Sequence, residues 1–279
     1  MAYQQRLLRG KRLSLLIITA LVGFWLAYSL DTDTGLVPQA SGQPPAAQPP
    51  AAQPPAKSPL EQPLQWLYEG RKFHASLRDY TCYMLSQERV KGELKKQNVM
   101  QFMFRPQPFS VYMKWLSPAD LAGQEVAYVQ GKNGDKMRVN PKAGTLGGNS
   151  WHTIDPNDRR VFEHSRHTIR EAGIGAMSDQ LIRSFEMEKQ HNKTQATVSE
   201  YNYSNRRCYR IEITRTERRP DFYCYRTVVY IDQENKLPIR MENYDWPVQG
   251  GAPGGELLEL FSYYDIQFNR GLTDANFNK

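Results

Sequence analysis

From Thr81 onward the chain alternates apolar and polar residues with a period of two, whereas the stretches before it and around residue 180 repeat every three to four. Alternation marks half-buried strands, and the longer period marks amphipathic helices. Leu60, Leu64, Leu67 and Tyr68 follow helical spacing, which continues less cleanly through Ala75 and Leu77 after Gly70. Strands are expected at 81–90, 98–105, 110–116, 125–131 and 136–140, joined by short turns such as Lys132-Asn133-Gly134-Asp135. A second helix is expected from Ala176 to Gln190, with Ile174, Met177, Leu181, Ile182 and Phe185 on one stripe and Asp179, Arg183 and Lys189 away from it. Five more strands follow at 197–203, 207–214, 222–232, 237–244 and 257–267. The pattern predicts a mainly β (α+β) domain, a curved antiparallel sheet or incomplete β-barrel covered by helices. Such a sheet must bury its concave face, and the two helices are the available cover.

The N-terminal part reads differently. Leu13 to Leu30 carry no charge over eighteen residues, preceded by Arg6, Arg9, Lys11 and Arg12 and followed by Asp31 and Asp33. About twenty apolar residues cross a bilayer as a helix, and flanking basic groups keep that side in the cytoplasm. Residues 1–30 are therefore expected to be a signal anchor, with a cleaved signal peptide as the alternative. An anchor implies a single-pass inner-membrane protein whose C-terminal domain lies in the periplasm; cleavage implies secretion to the periplasm. Residues 31–58 contain the near-repeat Gln43-Pro-Pro-Ala-Ala, Gln48-Pro-Pro-Ala-Ala, Gln53-Pro-Pro-Ala-Lys, the composition of a polyproline tether. The folded domain is expected over 59–279.

Charge narrows the partners. The formal charge is +7, and the four basic residues before Leu13 leave only +3 for the rest. That excess is too mild for a nucleic-acid partner, and the expected compartment argues against one as well. Of the three cysteines, Cys208 and Cys224 fall on strands expected to be neighbours, so they either pair in an oxidising compartment or remain buried thiols.

No strong catalytic constellation is present: the chain lacks a G-x-S-x-G elbow, a Walker loop, H-E-x-x-H and C-x-x-C. His152, Asp155, Asp158, His164 and His167 are the best metal-ligating candidates, but solvated surface explains them more simply, and no metal or cofactor is assigned. Glu88 with Glu93, or Glu256 with Glu259, could form an acid and base, yet exposed strand carboxylates serve equally well. The arginines between Arg206 and Arg219 interleave with Glu212 and Glu217 and read as cross-strand ion pairs or an anionic-lipid patch. Apolar content is the stronger signal: Met100, Phe102, Met103, Phe104, Phe109, Met113 and Trp115 fall within sixteen residues. Methionine lines irregular apolar sites well, and ordinary core packing uses the same residues.

Several separated blocks agree in order with a bacterial family. Tyr80-Thr-Cys-Tyr-Met-Leu-Ser-Gln-Glu-Arg-Val, Phe104-Arg-Pro-Gln-Pro-Phe-Ser-Val-Tyr-Met-Lys-Trp-Leu, Glu171-Ala-Gly-Ile-Gly, Leu237-Pro-Ile-Arg, Tyr244-Asp-Trp-Pro and Gly271-Leu-Thr-Asp-Ala-Asn-Phe resemble the domain of unknown function 1571 family over 60–279. The order of helix, strand and Arg-Pro hairpin is also distantly similar to the periplasmic outer-membrane lipoprotein carriers. That resemblance implies an incomplete barrel closed by helices over a cavity for acyl chains, with Arg105 before Pro106 helping to control a lid. An anchored chain would depart from those soluble shuttles.

Together these readings favour a non-enzymatic, membrane-tethered domain that binds a lipid or an acylated protein. Phe102, Phe104, Met113, Trp115, Met177, Leu181 and Phe185 are the candidate lining, with Arg105 at the mouth. The alternatives are an envelope protein-binding or stress-sensing module with a filled core and a hydrolase of envelope polymers.

Overall fold

The computed structural model describes residues 58–145 and 148–279. Helix α1 (Glu61–Ala75) opens the domain and buries Pro63, Leu64, Leu67 and Gly70, the face its periodicity marks. Pro63 lies in the first turn, where no intrahelical amide is lost, and Lys72 and His74 in the last turn complement the helix dipole. Gly70 admits close docking: a Cβ there would lie 2.1 Å from the carbonyl oxygen of Lys236.

Strands β1 (Tyr80–Val90), β2 (Glu93–Leu94), β3 (Asn98–Arg105), β4 (Ser110–Ser117), β5 (Glu125–Val129), β6 (Met137–Asn140) and β7 (His152–Ile154) follow. Two short 3₁₀ turns then lead into helix α2 (Ile174–Lys189). The second half is β8 (Thr194–Tyr203), β9 (Arg206–Arg215), β10 (Arg226–Asp232), β11 (Pro238–Tyr244), β12 (Leu257–Phe268) and a short helix α3 (Asp274–Phe277). All twelve strands join one sheet in the order β7-β6-β5-β4-β3-β1-β12-β11-β10-β9-β8, with β2 hooked onto β1. Each half is a meander, and the antiparallel pairing of β1 with β12 welds them. The two ends, β7 and β8, do not meet, so the sheet is an open structure and not a closed β-barrel.

One face of this sheet carries the core. Tyr80, Cys82 and Met84 of β1, Met100, Phe102 and Phe104 of β3, Ile211 and Ile213 of β9, Val229 and Ile231 of β10, and Tyr263 of β12 belong to one cluster with the buried stripes of α1 and α2. Eleven strands laid flat would span roughly 50 Å at their usual spacing. Two helices about 10 Å across cannot cover that width. A single cluster reaching from β6 to β9 beneath them therefore requires the sheet to wrap around its cover, as its twist allows.

Helix α2 is attached to the sheet at its two ends by polar contacts. Gly173, at φ 104°, precedes it, and its amide donates to Tyr263 Oη at 3.2 Å while the amide of Ile174 donates to Tyr80 Oη at 2.9 Å. At the other end Glu188 meets Arg215 of β9. Between them Met177, Leu181, Ile182 and Phe185 face the sheet. Among the described residues no backbone-to-backbone hydrogen bond joins α1 or α2 to a strand.

The closing block of the sequence docks back on the start of β1. Asp79, 2 % exposed, accepts from the amides of Arg270, Gly271 and Leu272. Thr273 and Asn276 then form a reciprocal capping box on α3, which buries Phe277.

One expectation requires correction, and one open alternative is decided. No helix among the described residues is long and apolar enough to cross a membrane, which overturns the single-pass inner-membrane location. The longest, α2, has sixteen residues and one polar face. The run Leu13 to Leu30, on which that expectation stood, and the tether after it lie outside the described residues. The three cysteines are free and buried. Pairing of Cys208 with Cys224 is ruled out by register: Cys208 sits opposite Asp232 near one end of β9, whereas Cys224 lies beside Arg215 at the other.

Candidate functional site

The alternation that buries Tyr80, Cys82 and Met84 on β1 continues without a break to Ser86 and Glu88. The core-facing side of the sheet therefore changes from apolar to polar toward one end. Register extends the change across the strands: Glu88 lies opposite Glu259 of β12, Glu259 is one residue from the pairing of Leu260 with Glu242, and Asn243 of β11 lies opposite both Glu259 and Thr227 of β10. Arg215, two positions after Ile213 on β9, completes the row. Five polar side chains from five strands thus share one buried edge of the core.

Hydrogen bonds make the row continuous. Arg215 donates from Nε and Nη2 to the Glu188 carboxylate at 3.0 and 2.6 Å, and from Nη1 to Thr227 Oγ1 at 2.7 Å. Thr227 donates to Asn243 Oδ1 at 2.8 Å, and Asn243 Nδ2 to Glu259 Oε1 at 2.8 Å. The other oxygen of Glu259 receives Tyr223 Oη at 2.9 Å and lies 2.9 Å from His167 Nε2, with Arg166 Nε at 3.6 Å. Glu88 accepts from Ser165 Oγ at 3.0 Å and from the amide of Arg166 at 2.7 Å. The segment carrying Ser165, Arg166 and His167 is thereby strapped over the two glutamates just before it enters α2.

Their environments push the acids apart. Burial raises Glu88 above the ordinary carboxylate range, outweighing its hydrogen bonds to Arg166 and Ser165. Burial also acts to raise Glu259, but His167, Asn243 and Tyr223 together hold it below that range. For His167 burial opposes the charge, and the Glu259 hydrogen bond and charge prevail and raise it. Glu88 is thus the better proton holder and Glu259 the better anion. The row itself is closed over, and Arg166, His167 and Tyr223, which contact Glu259, border a cleft of about 590 Å³ between the strap and α2 together with Arg170, Gln180 and Arg183.

The residues expected to line an apolar site come together differently. Phe102, Phe104, Met113, Met177, Leu181 and Phe185 are buried in one core cluster, and Trp115 packs against its margin half-buried. Arg105 is held away from α2: it pairs with Asp274 at 2.8 Å, donates to Ser110 Oγ at 3.1 Å and lies over the Phe277 ring. Of the histidine-rich segment only His167 enters the polar row; Asp158 is engaged by Arg160 and Asp155 by the amide of Asn157. The two carboxylate pairs proposed from adjacency are exchanged, since Glu93 and Glu256 are exposed and engaged by Lys95 and Arg89. Within the arginine run Arg206 and Arg207 make the expected cross-strand ion pairs, with Asp232 and Glu200, whereas Arg210 pairs along its own strand with Glu212 and Arg219 pairs locally with Glu217 and Asp221. Arg215 alone turns inward, being 1 % exposed.

Residues 77–279 match the profile of a family described as protein of unknown function DUF1571. The chain belongs to the DUF1571 family. That match begins at Leu77 and spans every strand, so the polar row and the apolar face both lie within the DUF1571 domain. No functionally curated protein matches the chain. Solved structures similar to it include a DUF1329 family protein from Desulfovibrio piger, 13 % identical over 79 % of this chain and 97 % of that one, with a TM-score of 0.38. A LolA superfamily protein from Nitrosomonas europaea is 11 % identical over 77 % and 96 %, with a TM-score of 0.34. The lipoprotein LppX from Mycobacterium tuberculosis is 11 % identical over 75 % and 96 %, with a TM-score of 0.43. No activity is carried over from structures this distant.

Proposed function

We propose that this DUF1571 domain binds the apolar chain of a lipid or of an acylated protein between its sheet and helix α2, as a binding protein and not an enzyme. One observation carries the reading. A wide apolar face rich in Phe, Met and Ile is roofed by a helix that no backbone-to-backbone hydrogen bond ties to it and whose polar ties sit at its two ends, so the roof can lift without breaking the sheet. Each methylene transferred from water contributes about 0.8 kcal/mol, so a chain of a dozen methylenes contributes on the order of 10 kcal/mol before entropy losses. Exposing the five apolar side chains of the α2 stripe costs a comparable amount, at about 1.5–3 kcal/mol each. Binding is therefore favourable only when the chain slides beneath α2 and replaces the sheet as its apolar contact. Phe102, Phe104, Met113, Trp115, Met177, Leu181 and Phe185 are the proposed contact surface, and Arg105, pinned by α3, flanks it.

Native mass spectrometry of the purified full-length protein, followed by organic extraction, tests this. A co-purifying acylated species of defined mass is the expected result. Replacing both Tyr80 and Tyr263 by Phe removes the acceptors at the start of α2 and should speed uptake of a fluorescent fatty acid. Protein that is clean by mass and takes up no fatty acid, with or without these substitutions, would sink the proposal.

A second reading, a protein-binding module with a filled core, rests on β8. This edge strand pairs with β9 over ten residues without a bulge, carries Glu200 as its single charge, and leaves Val198 and Tyr201 about half exposed. Long edges with so little protection are templates for an added strand. Val198→Lys should abolish capture of a protein partner on this reading and leave acyl binding unchanged on the first.

A further inference from the structure

We propose that Glu88, His167 and Glu259 form a binding site for one divalent transition-metal ion of the zinc class. The three residues come from β1, the strap before α2 and β12, and one donor atom from each lies within 4.8 Å of the others. One imidazole with two carboxylates is a donor set that zinc-class ions accept, whereas Mg²⁺ and Ca²⁺ require more oxygens. Ligand atoms on a tetrahedral zinc at about 2.0–2.1 Å are roughly 3.3 Å apart. His167 Nε2 and Glu259 Oε2, now 2.9 Å apart, need to part by a few tenths of an ångström, and Glu88 must close in by rotation of its side chain.

The surroundings supply what a metal site needs beyond its ligands. Outer partners orient metal-binding side chains and tune their affinity. Glu171 Oε2 lies 3.8 Å behind Nδ1 of His167, in the place of the carboxylate that commonly backs a metal-bound imidazole. Asn243 holds the far oxygen of Glu259 and is itself held by Thr227, which accepts from Arg215. Ser165 and the amide of Arg166 fix Glu88. There is also a reason for a cation: two carboxylates stand directly opposite each other across β1 and β12, 7 % and 0 % exposed, where like charges repel strongly. The competing cations are a protonated His167, which must give up its proton to bind the ion, and Arg166, whose contact with Glu259 is loose at 3.6 Å and whose guanidinium, stacked over Tyr223 and donating to the Arg89 carbonyl at 3.2 Å, borders the open cleft. A bound ion would fasten the strap to both central strands and so fix the approach to α2. This inference does not depend on the acyl-binding reading.

The test is a zinc titration of full-length, tag-free protein stripped with a chelator, read by competition with a chromophoric zinc indicator, with Mg²⁺ and Ca²⁺ as parallel arms. One equivalent of Zn²⁺ should bind, and His167→Asn or Glu259→Gln should weaken it at least tenfold. Arg166→Gln, which removes the competing charge, should tighten it several-fold. Circular dichroism identifies any variant that fails to fold; Glu88→Gln, at the less buried of the two carboxylates, then serves in its place, with Co²⁺ absorption of the unaltered protein reporting nitrogen and oxygen ligation. Zinc uptake below one equivalent, uptake unchanged in His167→Asn, or Ca²⁺ binding as tight as Zn²⁺ would each overturn the assignment.

Discussion

Removing Arg215 should destabilise the domain far more than removing Arg215 and Glu188 together. The two side chains are 1 % and 0 % exposed and joined by two hydrogen bonds, and Glu188 stands in the last turn of α2. Arg215→Met leaves a buried carboxylate with Ser184 Oγ as its remaining donor at 2.7 Å, a loss of about 3–5 kcal/mol for one broken buried pair. In a domain of this size each kcal/mol lowers Tm by about 2–4 °C, so the midpoint should fall by roughly 6–20 °C. Glu188→Leu strands the guanidinium and should cost a similar amount. The double variant Arg215→Met, Glu188→Leu fills the same volume with apolar groups and should fall within about 1–2 kcal/mol of the unaltered protein, since both buried charges are gone. Urea unfolding of the four proteins, compared at constant m, gives the coupling energy directly. A single substitution costing under about 1 kcal/mol, or a double variant that merely sums the singles, would refute the claim that α2 is fastened by this pair.

Three further expectations follow from individual contacts. Gly70→Ala places a methyl against the Lys236 carbonyl and should cost at least about 1–3 kcal/mol in thermal unfolding, where an ordinary helical site gains from the same change; unaltered stability would mean that α1 does not dock there. His74 is depressed below its ordinary value by burial, against the opposing pull of Asp179, and its Nε2 has no hydrogen-bond partner. Its folded form therefore favours the neutral ring, so its share of stability is present above the unfolded value of about 6.5 and is lost as pH falls below it; His74→Leu should flatten that part of the stability profile, and an unchanged slope would contradict this. Asp79→Asn weakens three buried amide contacts at the C-terminal block and should accelerate hydrogen exchange at Arg270, Gly271 and Leu272 before the rest of the sheet responds.

Strand pattern was highly legible in this chain because most strands have one buried face. The period of two located β3 at its observed bounds and β1, β4, β9 and β11 within a residue at either end. It missed β2 and β7, whose two and three residues are too short to show a period. It carried β10 too far upstream, since 222–225 fold over the polar row and bring Tyr223 and Cys224 to it. Pairing of β1 with β12 joins residues from 171 (Glu88 with Glu259) to 188 (Tyr80 with Phe268) positions apart, and nothing local in either strand announces it. The polar row left a trace that adjacency concealed. Glu88 follows Cys82 and Met84 at buried parity, Glu259 precedes Tyr263, Asn243 follows Met241, Thr227 precedes Val229 and Arg215 follows Ile213. A polar residue at a position whose parity demands burial is a stronger signal than two acids near each other in sequence, because each such residue must find a partner inside. The apolar lining was legible as core, but packing and ligand binding use the same residues, so composition could not separate them.

The most direct test of acyl binding beneath α2 is photo-crosslinking of the full-length protein with a diazirine-bearing fatty acid, followed by peptide mapping. Label on Met177 to Phe185 together with 100–115 is the predicted result. Label confined to the β8 edge or scattered over the surface, with none beneath α2, would contradict it.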